Sequence, residues 1–167
     1  MVDNHYIQEG VAEYVDVLET HGPAGLDFLN ARVPHRFTGV YRLEAGVFHN
    51  AYLHDKLGEV MPEFLKAVPL QDSFCQFVLR DGYFCTCNTG LDSRLDGHKY
   101  QGVLNTYYGV PLLNNAGELY GTLCHFDAQE FVLHDEEFAF LQRAALVLPK
   151  YLFRKSNLPL TSLLQGI

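Results

Sequence analysis

Apolar residues near the start of the chain recur at helical spacing: Ile7, Val11, Tyr14, Val15 and Leu18 are separated by four, three, one and three positions. That period places them on one face of an amphipathic helix, which Asp3 or Asn4 can cap and His21-Gly22-Pro23 ends. Pro23 also suits the first turn of a short second helix carrying Leu26, Phe28 and Leu29, which must stop before Pro34. From Arg36 the period changes to two, and Phe37 to Leu43 with Val47 to Leu53 predicts a β-hairpin around Glu44-Ala45-Gly46. Pro62 and Pro69 bracket a brief helical turn at Phe64 and Leu65. Asp72 is placed to cap a helix in which Phe74, Cys75, Val78 and Leu79 share a face, and Asp81-Gly82 ends it before a short strand from Tyr83 to Cys87.

The stretch Asn88 to Gly102 is polar and without a convincing period, so it is the longest loop, and long loops in compact domains tend to handle ligands. Val103 to Leu113 and Glu118 to Phe126 predict a second hairpin around Asn114-Asn115-Ala116-Gly117, apolar on both faces as in strands covered from two sides. A last helix starts near Asp135, with acids in its first turn and a stripe of Phe138, Leu141, Ala145, Leu148 and Leu152; Pro149 should bend or end it. Matching stripes would let the two terminal helices lie side by side on one sheet face. The chain therefore divides into one domain at 1–155, with N-terminal helices at 3–32, a sheet core at 36–127 and a C-terminal helix at 135–152, and a peripheral tail at 156–167.

Twelve Lys and Arg against twenty Asp and Glu give a net charge of −8, and the cations are scattered singly or in pairs, Arg154-Lys155 being the densest. Nucleic acid and anionic membrane surfaces are thereby excluded as expected partners. Met1 to Tyr6 lacks the cationic start of a secretory signal. Phe138 to Phe153 is interrupted by Gln142, Arg143, Pro149 and Lys150, short of the roughly 20 apolar residues a membrane crossing needs, so a cytoplasmic location follows by elimination. Four cysteines, Cys75, Cys85, Cys87 and Cys124, are too few for a disulfide scaffold and read as reduced thiols in or near the core.

The segment Tyr107 to Asp127, YYGVPLLNNAGELYGTLCHFD, resembles the GAF family, in which a strand ending G-V-P-L, a polar turn and a strand reading G-T-L-C-x-x-D follow one another. Asp72-Ser73-Phe74-Cys75 is similar to the D-S-x-C start of that family's pocket helix, and Asp92-Ser93-Arg94 stands where many members carry D-x-R. The likeness covers about residues 20 to 152. It implies an α+β, PAS-like fold: a six-stranded antiparallel sheet with terminal helices on one face and, on the other, a ligand pocket under short helices and loops. It also implies a sensory module that binds a small molecule and signals through a homodimer formed by the terminal helices, or through a separate effector protein.

Within that frame the expected ligand-binding residues are Tyr41, Tyr52, Phe74, Tyr107 and Tyr108 as aromatic walls, Asp92 and Arg94 as polar handles in the loop, and Cys75 and Cys124 beside them. No cofactor, metal or catalytic group is expected. Zinc would want paired Cys-x-x-Cys spacing, the serines stand in no G-x-S-x-G elbow, and no Gly-rich phosphate cradle opens a helix. Cys124-His125 lies on a strand rather than on the pocket helix where tetrapyrrole-binding relatives carry such a pair. One alternative is a thiol enzyme of the free methionine-R-sulfoxide reductase type, since Cys75 and Cys85 look like two of its cysteines. Its G-h-x-x-C element, however, reads Gly97-His98-Lys99-Tyr100-Gln101 here, without the attacking thiol. Another is a protein-interaction module with a vestigial pocket.

Overall fold

Asp3 caps the first helix, α1 (Asn4–His21), by accepting hydrogen bonds from the backbone N–H groups of His5 and Tyr6. In the computed structural model, which describes residues 2–153, α1 runs through a 3-10 turn into the short α2 (Asp27–Asn30). The first hairpin is β1 (Phe37–Glu44) and β2 (Val47–Asp55). Next come α3 (Glu63–Lys66), β3 (Ala67–Pro69), α4 (Cys75–Asp81) and β4 (Phe84–Thr86). Two 3-10 turns interrupt the long loop before the second hairpin, β5 (Thr106–Leu113) and β6 (Leu119–Asp127). The last helix stops at Pro149 and resumes for one turn, giving α5 (Asp135–Val147) and α6 (Pro149–Leu152). The expected tail at 156–167 and the Arg154-Lys155 pair lie outside the described residues.

All six strands form one antiparallel sheet in the order β3-β2-β1-β6-β5-β4. β6 is central, pairing β1 on one side and β5 on the other, so its side chains alternate between two buried layers. On one face α1, α2, α5 and α6 cover the sheet, packing Ile7, Tyr14, Leu18, Phe140 and Leu141 on Val40, Tyr108, Val110 and Leu123. Arg32 fastens this layer. It makes paired hydrogen bonds of 2.9 and 3.1 Å to Glu137 and lies 3.7 Å over the ring of Phe140. On the opposite face α3, α4 and the long loop enclose Tyr41, Phe74, Cys75, Phe84, Leu95, Tyr107, Cys124 and Phe126.

Three local expectations are corrected. Asp72 does not cap α4; it sits in a 3-10 turn, and the hydroxyl of Ser73 accepts from the N–H of Cys75 instead. Val103 and Leu104 belong to the turn before β5, not to the strand. The proposed second helix is split into a 3-10 turn and the four residues of α2. No helix among the described residues is long and apolar enough to cross a membrane.

Candidate functional site

The loop-covered face of the sheet encloses a cavity of about 40 Å³. Its walls are apolar and largely aromatic, with Tyr41, Phe74, Tyr107 and Phe126 inside, and Phe64 stacked on Tyr100 at 5.5 Å on the outer side. Two glycines make room for the inner tyrosines. The ring of Tyr107 lies back across Gly109, two residues along the same strand face, where an added Cβ would stand 2.6 Å from the ring. Tyr41 lies across Gly39 in the same manner, with its hydroxyl donating to the carbonyl of Leu65 at 2.9 Å.

The folded-back ring of Tyr107 brings its hydroxyl 3.1 Å from the sulfur of Cys75, and the hydroxyl of Thr122 approaches the same sulfur at 3.2 Å. Cys124, one strand position further along the same face as Thr122, contacts Cys75, and its sulfur also lies 3.6 Å from the carbonyl of Gly39. Burial by itself raises a thiol's pKa; around Cys75 the hydrogen bonds from Cys124, Ser73, Thr122 and Tyr107 outweigh it and bring this thiol below the ordinary range. Cys124 goes the other way, pushed up by burial and by its neighbour Cys75. The floor of the cavity is thus a cluster of O–H and S–H groups in an otherwise apolar space.

A second polar cluster lies on the helix side of the sheet. Asn30 donates to Thr38 at 2.8 Å and to the carbonyl of His35 at 3.0 Å, while Thr38 meets Nδ1 of His125 at 2.7 Å. Lys56 donates to Asn30 at 2.7 Å. His35 stacks on His125 at 6.0 Å, and neither nitrogen of its buried ring has a hydrogen-bond partner. Burial drives both imidazoles toward the neutral form, His35 to about 4 and His125 to about 3.

No protein-family model and no curated protein matches the sequence. Solved structures do. Over 90% of this chain and 94% of the other, it is similar to the GAF domain of the Acinetobacter phosphoenolpyruvate-protein phosphotransferase, with a TM-score of 0.70 and 13% identity. A putative GAF sensor protein from Burkholderia vietnamiensis is similar over 87% of this chain and 92% of its own, with a TM-score of 0.67 and 12% identity. The chain has the GAF fold. Type II free methionine-R-sulfoxide reductase from Thermoplasma acidophilum shares that fold over 79% of this chain and 89% of its own, with a TM-score of 0.62 and 17% identity.

Within the GAF fold, five of the nine expected ligand-binding residues meet at the cavity: Tyr41, Phe74, Cys75, Tyr107 and Cys124. The other four do not. Tyr108 follows Tyr107 on a regular strand and so faces the helices, where its hydroxyl accepts from the N–H of Leu133 at 3.1 Å. Tyr52 is displaced by a β-bulge: Asn50 pairs Tyr41 but Tyr52 pairs Val40, which turns its ring to the helix side. Asp92 and Arg94 are spent on each other, at 2.6 and 2.9 Å, and Arg94 also donates to the carbonyl of Cys85 at 2.8 Å on an outer surface. Cys85 pairs Tyr108 in the sheet and packs toward the helices, so the β-sheet separates it from Cys75. Cys75 and Cys85 therefore lie in different layers of this molecule. Sequence reasoning missed Phe64, Ser73, Tyr100 and Thr122 as parts of the site. Only Thr122 carried a readable signal, since strand alternation puts it on the face of Cys124; Phe64, Ser73 and Tyr100 lie on a four-residue helix and in turns, where no period points inward.

Proposed function

We propose that this chain is a small-molecule-binding sensory module in which the effector enters beneath Phe64 and Tyr100. The response then passes through α1 and α5 to a second copy or a separate effector protein. The observation that carries this reading is the convergence of the Ser73, Tyr107 and Thr122 hydroxyls around the Cys75 thiol, which lines the floor of an aromatic cavity. Buried polar groups gathered where an apolar core would be cheaper suit recognition better than packing. The putative GAF sensor protein among the similar structures supports the same reading.

At about 40 Å³ the cavity as it stands admits only a few heavy atoms, whereas pockets for larger ligands run to roughly 300–1,000 Å³. A larger effector must therefore displace the Phe64–Tyr100 stack. Screening amino acids, nucleotides and small polar acids by thermal melting of the purified chain is expected to yield a stabilising compound. Its affinity should fall about tenfold in Tyr107→Phe, the loss of one buried hydrogen bond. If no compound raises the melting temperature, or if binding ignores Tyr107, Ser73 and Thr122 substitutions alike, the proposal fails and a vestigial pocket is the better account.

A further inference from the structure

The four cysteines occupy different settings. Cys87 is exposed, Cys85 is half-buried on the helix side with its thiol pushed up to about 12 by burial, and Cys75 and Cys124 are buried together at the cavity. A cysteine that only fills space needs no donors around its sulfur. Cys75 has hydroxyls from two strands within 3.2 Å, a third hydroxyl from Ser73, and a second thiol. Those groups stabilise a sulfur anion, and the companion thiol is held protonated next to it.

Space selects the reactant. With the Phe64–Tyr100 stack in place, a cavity of about 40 Å³ takes a molecule the size of one or a few waters. We infer that Cys75 and Cys124 form a redox pair that reduces small hydroperoxides, of the size of hydrogen peroxide, inside this cavity. The inference rests on the cavity being open to small molecules, as the sensory reading requires, and it names the chemistry of one such input.

The steps balance as follows. The Cys75 thiolate attacks one peroxide oxygen, the O–O bond breaks, and the departing oxyanion takes up a proton to leave as water or alcohol, with a sulfenic acid formed on Cys75. Cys124 sulfur then attacks the Cys75 sulfur, an S–S bond forms, and the hydroxyl leaves as water with the proton that Cys124 carried. Two electrons pass from the thiols to the peroxide. An external dithiol restores the pair by exchange.

The test uses the reduced full-length chain at pH 7 with hydrogen peroxide in slight excess, followed by intact mass and peptide mapping. Expected is a loss of about 2 Da and a Cys75–Cys124 crosslink reversed by dithiothreitol. Cys124→Ser should stop at a sulfenic acid on Cys75, captured by dimedone, and Cys75→Ser should abolish both products. Tyr107→Phe should slow oxidation about threefold or more by removing a donor to the thiolate. Oxidation confined to exposed Cys87, with Cys75 and Cys124 still free thiols in the mapped wild-type protein, overturns the inference. A ligand-induced melting shift that survives in that case leaves the sensory reading standing; oxidation of the pair without any ligand shift does the reverse.

Discussion

His35 and His125 make stability depend on pH through single side chains. Both are neutral when folded, with burial the main cause, Lys56 and the neighbouring imidazole adding to it, and Asp127 opposing it at His35. Their folded pKa values, about 4 and about 3, lie below the ordinary 6.5, so the unfolded chain binds more protons as pH falls. Their contribution is whole above pH 6.5 and is lost between there and about pH 4 to 3, at roughly 2 kcal/mol per histidine by about pH 5. Urea melts at pH 7.5 and at about pH 5 should show that drop in midpoint. Because no hydrogen bond ends on the His35 ring, His35→Leu should cost less than about 1 kcal/mol at pH 7.5 and flatten the acid limb; a large loss at neutral pH would refute this. At this scale the sequence was partly readable. Tyr107 and Cys124 could be placed from strand alternation, and the same rule, applied strictly, would have sent Tyr108 to the helices. Tyr52 could not have been placed, because the bulge that turns it depends on its pairing with β1 and not on its own neighbours.

Among elements, the long ones were legible and the short ones were not. α1, both hairpins and the break at Pro149 follow from period and punctuation, which accumulate over many residues. β3 and the two turns of the long loop are three residues each, held in place by what they pack against, and too brief to leave a periodic trace. The attachment of the segment after α2 to α5 was likewise invisible, since Arg32 and Glu137 are far apart in sequence. Both side chains are only 15% exposed, so removing one leaves the other charge buried without its partner. Arg32→Ala is expected to destabilise the fold by about 3 kcal/mol, from the lost ion pair and the lost packing on Phe140, as read by denaturant unfolding. A change below about 1 kcal/mol would mean that the pair is solvated in solution.

For the molecule as a whole, the GAF-like segment from Tyr107 to Asp127 announced the sheet, but not how little room remained above it. Cavity volume depends on how rings lie, here on two glycines that let tyrosines recline, and no motif records that. Signalling through a second copy makes a prediction at this scale. Leu146 is 77% exposed on α5, so Leu146→Glu should leave the melting temperature within a few degrees of wild type. If α5 forms the dimer contact, light scattering at micromolar concentration should show a dimer for the wild type and a monomer for this variant. A wild-type monomer would count against that route of output.

β6 carries Cys124 toward the cavity and His125 toward the terminal helices, as successive residues of the central strand. One peptide unit therefore joins the two layers. A shift that pulls this sulfur toward Cys75 must tilt the neighbouring imidazole against Thr38, with no relay of intervening side chains needed to carry the disturbance across.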